Sequence, residues 1–88
     1  METRIAVISI IVEDTDSVET LNGYLHDYGS YIIGRMGLPY CTGERRINII
    51  SIAVDAPQDV IAALSGKIGK LPGVSAKAAY SGVTGHGA

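Results

Sequence analysis

The residue types that could carry catalysis or bind a metal are few in this 88-residue chain and are not spaced for either task. Its two histidines, His26 and His86, lie 15 residues before and 45 residues after its single cysteine, Cys41. No common metal-binding motif has this spacing. No histidine is placed to activate Ser9 or Ser51, the serines of two apolar strand-like runs, as a nucleophile. The sequence therefore predicts neither an enzyme nor a metal centre within one chain. A metal site built across subunits from Cys41 and the histidines stays open as an alternative.

Two glycine-rich stretches, residues 34–37 (GRMG) and 65–70 (SGKIGK), look like phosphate-binding loops. Such a loop follows a strand and begins a helix, so that N–H groups at the helix N-terminus hold the phosphate. The first stretch lies inside a strand-like run. The second lies near the C-terminal end of a predicted helix, where the helix dipole disfavours anions. Neither stretch predicts a phosphate site, and we expect Gly34 and Gly37 to be positions where another element packs closely on the strand.

Four polar residues are candidate ligand contacts. Asp14 and Thr15 belong to the loop Glu13–Asp16, whose side-chain oxygens also suit the N-cap of a helix. Arg35 is predicted on an edge strand, where it either discourages uncontrolled strand pairing or contacts an anion or carboxylate at a subunit interface. Asn48 is the polar residue of the third strand-like run on the side that is predicted to face the helices.

The chain consists of two similar halves, and this repeat predicts the fold. The runs RIAVISIIVE (residues 4–13) and RINIISIAVD (residues 46–55) align, with the Arg, three Ile, the Ser and the Val in step. Each is followed by apolar residues at helical spacing, a glycine and another strand-like run, at 30–38 and 74–80. A loop at 40–44 joins the halves. The order β-α-β-β-α-β predicts an α+β, ferredoxin-like two-layer sandwich, in which a four-stranded antiparallel sheet carries two helices on one face. We expect one domain over residues 1–81 and a flexible tail at 82–88.

Because strand side chains alternate between the faces of a sheet, each run divides into two sets. The set predicted to face the helices is Ile8, Ile10, Val12, Ile32, Met36, Leu38, Ile50, Ile52 and Val54. The set predicted on the other side, the open face, is Ile5, Val7, Ser9, Ile11, Tyr31, Ile33, Arg35, Ile47, Ile49, Ser51 and Ala53. A sheet face exposed to water normally carries polar residues, whereas this one is mostly apolar. We therefore expect it to be the interface of a homo-oligomer, a two-fold dimer or a tetramer.

The composition favours self-association over other kinds of partner. Hydrophobic residues make up 47% of the chain and charged residues 18%, against about a quarter charged in an ordinary soluble domain. The net charge of −2 and the scattered basic residues disfavour direct binding of nucleic acids. No apolar run approaches a membrane span of about 18 residues and no leader is visible, so we expect a cytoplasmic protein.

Three stretches carry a family resemblance: RIAVISIIVED (residues 4–14), YGSYIIGRMGLPY (residues 28–40) and INIISIAVDAPQDVIAALSGKIGKLPGVSAKAAYS (residues 47–81). Together they resemble the small regulators associated with iron-only hydrogenase systems, over residues 4 to about 81. The resemblance implies an ACT-like fold, related to the regulatory C-terminal domain of the nickel-responsive repressor, and a homo-oligomer. ACT domains often bind amino acids at the loop after the first strand, which corresponds here to Glu13–Asp16.

Other features of the nickel-responsive repressor are not expected in this chain. Its nickel ligands are clustered histidines and a cysteine, whereas no His-x-His occurs here and Asn48 stands on the third strand. Its DNA-binding segment has no counterpart, since the first strand is predicted to begin at about residue 4. The resulting hypothesis is a non-catalytic regulatory module without a cofactor, which binds a small ligand or a protein partner at a homo-oligomer interface. The alternative is a metal-handling accessory protein that uses Cys41 and histidines across subunits.

Overall fold

The structure is a computed structural model that describes residues 2–82. Its elements are β1 (Arg4–Val12), α1 (Val18–Asp27), β2 (Ile32–Thr42), β3 (Arg45–Ala56), α2 (Gln58–Gly69) and β4 (Val74–Tyr80). Short 3₁₀ turns, Thr15–Ser17 and Gly29–Tyr31, precede and follow α1. The strands form one antiparallel sheet in the order β2-β3-β1-β4. This arrangement confirms the predicted ferredoxin-like βαββαβ sandwich, with β1 and β3 in its centre.

The core lies between the helices and one face of the sheet. Helix α1 contributes Leu21 and Leu25 to it, and α2 contributes Ile61, Leu64 and Ile68, the apolar residues that recur at helical spacing. The sheet contributes alternate residues, which are Ala6, Ile8, Ile10, Val12, Ile50, Ile52, Val54, Ala56 and Val74. Each fully buried Ile or Leu stabilises the fold by about 1.5–3 kcal/mol relative to an exposed one. Packing of these side chains fixes both helices on the same face.

The β2–β3 hairpin is longer than the sequence predicts. Thr42 pairs with Arg45, so the turn consists of Gly43 and Glu44 alone, and Gly43 has a φ of 62°, which suits glycine. Cys41 therefore lies in β2, where it is exposed, and not in a loop. Strand β1 pairs with β3 only as far as Asn48. Residues 40–47 consequently project beyond the sheet as a two-stranded arm, the hairpin arm.

Strand β2 contains a β-bulge near its start. Ile32 pairs with Val54 and Gly34 pairs with Ala53, which leaves Ile33 as an extra residue without a partner on β3. Because side chains alternate along a strand, one extra residue moves every later side chain to the opposite face. The faces predicted for β2 beyond the bulge are therefore wrong.

The bulge changes the position of both apolar and charged side chains. Met36 and Leu38, predicted to face the helices, lie on the open face opposite Ser51 and Ile49. Arg35, predicted on the open face, lies opposite buried Ile52 and so points to the side of the helices. The two glycines exchange faces as well.

Two further expectations about this region are wrong. A Cβ atom on Gly34 or Gly37 would meet nothing within 4 Å, so neither glycine is a close-packing position within the described chain. Tyr31 belongs to the 3₁₀ turn before β2 and packs half-buried against the core, with its ring centroid 6.4 Å from that of Tyr28. It is therefore not part of the open face.

The predicted tail at 82–88 lies outside the described residues except for Gly82. Among residues 2–82, no helix is long and apolar enough to cross a membrane.

Candidate functional site

A groove with polar residues at its centre separates α1 from β2. The guanidinium of Arg35 donates a hydrogen bond from Nη2 to Oδ1 of Asn22, with a length of 3.2 Å. This contact bridges two adjoining depressions, of about 380 Å³ and about 230 Å³, since both residues line each of them. We call the two depressions together the α1–β2 groove.

The two ends of the α1–β2 groove differ in chemistry. The larger end is lined by Leu25, His26, Gly29 and Ile32 in addition to the bridging pair. The smaller end is lined by Val18, Gly37, Leu38, Pro39, Asn48 and Ile50. One end therefore adds an imidazole to the central guanidinium and amide, and the other adds a mainly apolar wall with one amide.

Local sequence explains why this groove exists. Leu21 and Leu25 bury the apolar side of α1 in the core, whereas edge strand β2 is exposed along its whole length after Ile32 and so is not covered by a helix. Asn22 and His26 are four residues apart on α1, and so they share one helix face, next to the buried stripe. Gly37 has no side chain to fill the smaller end, which it lines together with Asn22 and Arg35. An exposed edge strand with a glycine and an arginine on its helix side leaves an open, polar groove.

The structure brings together two of the four predicted ligand contacts. Arg35 and Asn48 both line the smaller end of the α1–β2 groove, because the bulge places Arg35 on the same sheet side as Asn48. Thr15 instead lines a different depression of about 370 Å³, together with Glu13, Glu44, Arg45 and Arg46. That depression shares no lining residue with the groove, so Thr15 belongs to a separate surface.

The loop after β1 is held closed by contacts with the turn before β4. The carboxylate of Asp14 accepts a 2.9 Å hydrogen bond from the N–H of Asp16, which caps the 3₁₀ turn. The Glu13 N–H donates to the Gly73 carbonyl over 2.7 Å. The hydroxyl of Ser17, only 5% exposed, donates to the Pro72 carbonyl, also over 2.7 Å. Asp14 therefore has a structural partner within the chain, and it lines neither end of the α1–β2 groove.

The open face forms a second candidate site, for a macromolecule. Among residues 2–82, eight large hydrophobic side chains are 38% to 75% exposed. They are Ile5, Val7, Ile11, Met36, Leu38, Tyr40 and Ile49, all on the open face by the strand register, and the bulged residue Ile33. Their exposed fractions correspond to on the order of 800 Å², the area that one partner contributes to a standard-sized protein interface.

The predicted interface residues fall mostly on this face. Ser9 and Ser51 lie opposite each other near its centre, with Ile5, Val7, Ile11 and Ile49 on the same two strands, while Ile47 lies opposite Tyr40 on the hairpin arm. The bulge also brings Met36, Leu38 and Tyr40 to this face, where the sequence did not predict them. One signal could have found them. Hydrophobic residues fill positions 31–33 without a break and then recur only at the even positions 36, 38 and 40, so a regular alternation does not run through this segment.

A metal centre has no donor cluster in the described part of the chain. No group of three His, Cys, Asp or Glu side chains among residues 2–82 could hold a metal ion. Cys41 lies on the hairpin arm, His26 lines the α1–β2 groove, and His86 lies outside the described residues. The metal site across subunits stays a prediction.

The fold defines the class of protein, an ACT-like α+β domain. The structure is similar to the ACT domain from the GTP pyrophosphokinase of Chlorobium tepidum, with a TM-score of 0.60 and 18% sequence identity. The similarity covers 94% of this chain and 91% of that domain. At this identity the likeness shows the fold alone.

Sequence similarity places the chain within that class. The family model described as TM1266-like, iron-only hydrogenase system regulator, matches residues 4–78, and the chain belongs to this family. The structure of TM1266 from Thermotoga maritima, described as an uncharacterized protein, is similar with a TM-score of 0.80 and 32% identity. That similarity covers 90% of this chain and 98% of TM1266. No curated protein shows significant sequence similarity to the chain.

Proposed function

We propose that this protein is a non-catalytic, cytoplasmic regulator of an iron-only hydrogenase system, which works as a homo-oligomer and responds to a small ligand or a protein partner. Its membership of the TM1266-like family supports the hydrogenase context. Its ACT-like fold supports a regulatory role. The observation that carries the proposal is the exposed apolar face of the sheet.

The size and composition of the open face favour a second copy of the chain as its partner. Its exposed apolar area, on the order of 800 Å², exceeds the patch of about 300–600 Å² that a typical monomer exposes. The centre of the face carries Ser9 and Ser51, which are small and uncharged. An identical copy related by a two-fold axis can cover such a surface without leaving a buried charge unpaired.

The apolar residues are not spread evenly over the four strands. The largest exposed fractions belong to β2, with Met36 at 75% and Leu38 at 62%. On the opposite edge, β4 presents Ser75 and Lys77 to the same face. Two copies would therefore meet over β2, β3 and β1, with the lysine of β4 at the polar rim, where interfaces normally carry charge.

Strand β2 connects the open face to the α1–β2 groove. Met36 and Leu38 line a shallow apolar depression on the open face, and Leu38 with Gly37 also lines the smaller end of the groove. A ligand that shifts β2 from the groove side moves the side chains that contact the second copy. This coupling would let ligand binding change the geometry or stability of the oligomer.

Substitution of Leu38 by lysine tests the proposal. Leu38→Lys places a charge in the middle of the proposed interface, whereas Ala63→Lys adds the same charge at an exposed position of α2. We expect wild-type protein and Ala63→Lys to sediment as a dimer or larger species, and Leu38→Lys to sediment as a monomer with an unchanged circular dichroism spectrum. Wild-type protein that sediments as a monomer at about 100 µM, far above the dissociation constant of a specific interface of this size, contradicts the proposal.

A further inference from the structure

We infer that the α1–β2 groove binds a small organic monocarboxylate with a short apolar part, and that Arg35 and Asn22 hold its carboxylate. This inference deepens the ligand-binding part of the proposed function. It concerns a site formed within one chain, on the helix side of the sheet, and so it does not depend on self-association.

Arg35 supplies the positive charge that would hold a carboxylate. Among residues 2–82, no carboxylate lies within ion-pair distance of its guanidinium, which donates its 3.2 Å hydrogen bond to the neutral amide of Asn22. A guanidinium has five N–H donors, so several remain for a ligand. By contrast, Arg45 of the hairpin arm is paired with Glu13, and Arg4 contacts Gln58, Ser81 and the ring of Tyr80.

Asn22 is oriented so that its amide can add a second contact to the carboxylate. Its Oδ1 accepts the hydrogen bond from Arg35, so its Nδ2 group is left as a donor beside the guanidinium. His26, one helical turn further along α1, lines the larger end of the groove, next to Asn22 and Arg35. A planar carboxylate can accept two parallel hydrogen bonds from the guanidinium fork and a third from the amide.

The shape of the smaller end indicates what is attached to the carboxylate. Val18, Pro39 and Ile50 form an apolar wall there, and a volume of about 230 Å³ has room for a short branched chain. Asn48 adds one amide to the same end. Among residues 2–82, Arg35 is the sole arginine or lysine that lines the groove. One guanidinium and a net charge of −2 favour a singly charged ligand over a phosphate or other polyanion.

Nuclear magnetic resonance titration with isovalerate tests this inference. Isovalerate carries one carboxylate and a branched four-carbon chain, and isovaleramide is its uncharged analogue. We expect isovalerate to shift the signals of the Asn22 side-chain amide, the Arg35 Nε–H and the Gly37 amide, with a dissociation constant of about 1 mM or lower. Isovaleramide and inorganic phosphate should not shift these signals to saturation.

Three arginine variants locate the binding. Arg35→Gln should weaken isovalerate binding at least about tenfold, because it removes a charge-assisted bidentate contact. Arg35→Lys keeps the charge without the fork and should weaken binding to a lesser extent. Arg46→Gln, on the exposed hairpin arm outside the groove, is the matched control and should bind isovalerate as the wild type does.

Each other outcome overturns the inference. No saturable shift with isovalerate rejects the site, and equal affinity of wild type and Arg35→Gln rejects its residues. Saturable binding of phosphate at the same signals rejects the ligand class. The native mass of the same samples separates this inference from the proposed self-association. A monomer that binds isovalerate contradicts only self-association. An oligomer that does not bind isovalerate contradicts only carboxylate binding in the α1–β2 groove.

Discussion

Gly73 and Asp14 touch so closely that a Cβ atom on residue 73 would lie 2.5 Å from the Cβ of Asp14 and 2.9 Å from its backbone nitrogen. Gly73 also has a φ of 67°, in the left-handed region that other residues rarely adopt. The turn before β4 therefore requires glycine for two separate reasons, one in its own backbone and one in the loop after β1.

Gly73→Ala should consequently lower the free energy of unfolding by about 2–4 kcal/mol, from left-handed backbone strain and from the clash with Asp14. Gly43→Ala is the matched control, since Gly43 has a φ of 62° but nothing within 4 Å of an added Cβ. The control should lose only about 1–2 kcal/mol. Urea unfolding of both variants measures the difference, and equal losses would show that the contact with Asp14 relaxes without cost.

Ser17→Ala should destabilise the fold by about 1–2 kcal/mol, because it leaves the Pro72 carbonyl without the buried hydroxyl that now donates to it. Ser30→Ala, at an exposed serine, is the comparison and should change stability by less than about 0.5 kcal/mol. The measurement is again urea unfolding. If both substitutions had the same small effect, the loop after β1 would not depend on the bond between Ser17 and Pro72.

The ion pair between Arg45 and Glu13 should contribute little to stability. Its side chains are 63% and 48% exposed, so solvent screens the attraction between the two charges. Formation of the pair also restricts the rotamers of both side chains, which offsets part of the gain. A double-mutant cycle of Arg45→Gln and Glu13→Gln should give a coupling energy below about 1 kcal/mol. A coupling above about 2 kcal/mol would mean that the hairpin arm is fixed to β1 more firmly than this exposed contact explains.

Thermal unfolding should depend on protein concentration. A homo-oligomer that buries the open face is stabilised by mass action, so its midpoint temperature rises with concentration. Leu38→Lys should abolish this dependence and Ala63→Lys should retain it. Scanning calorimetry over about a hundredfold range of concentration measures the effect, which corresponds to up to about 2.7 kcal/mol of linkage. A midpoint that is constant in wild-type protein would argue against an interface on this face.

The fold was predictable from the sequence because it depends on features repeated along the chain. The two aligned runs, each followed by a helix at regular apolar spacing, determine the order of elements and the central position of β1 and β3. Each feature is supported by several side chains, so no single residue decides it. The helix-side location of Asn48 follows from the same alternation with Ile50 and Ile52, and the structure agrees.

The α1–β2 groove was not predictable in the same way. It depends on one unpaired residue, Ile33, which moves Arg35 to the helix side, and on the distance between α1 and an edge strand. Alternation within β2 determines which residues share a face but leaves open where a bulge interrupts it. The distance between α1 and β2 is equally hidden in the sequence. Nothing in the residues of α1 shows that exposed Asn22 lies opposite Arg35.

The bulge at Ile33 also determines how this surface can change during evolution. Substitutions alter the two sides of β2 one residue at a time. Deletion of the single residue Ile33 would remove the bulge, so the side chains on one side of it would have to exchange the two faces of the sheet. Either Ile32 would leave the core, or Arg35, Met36 and Leu38 would change sides together. Among related chains, the length of this segment should therefore be a stricter constraint than the identity of most of its side chains.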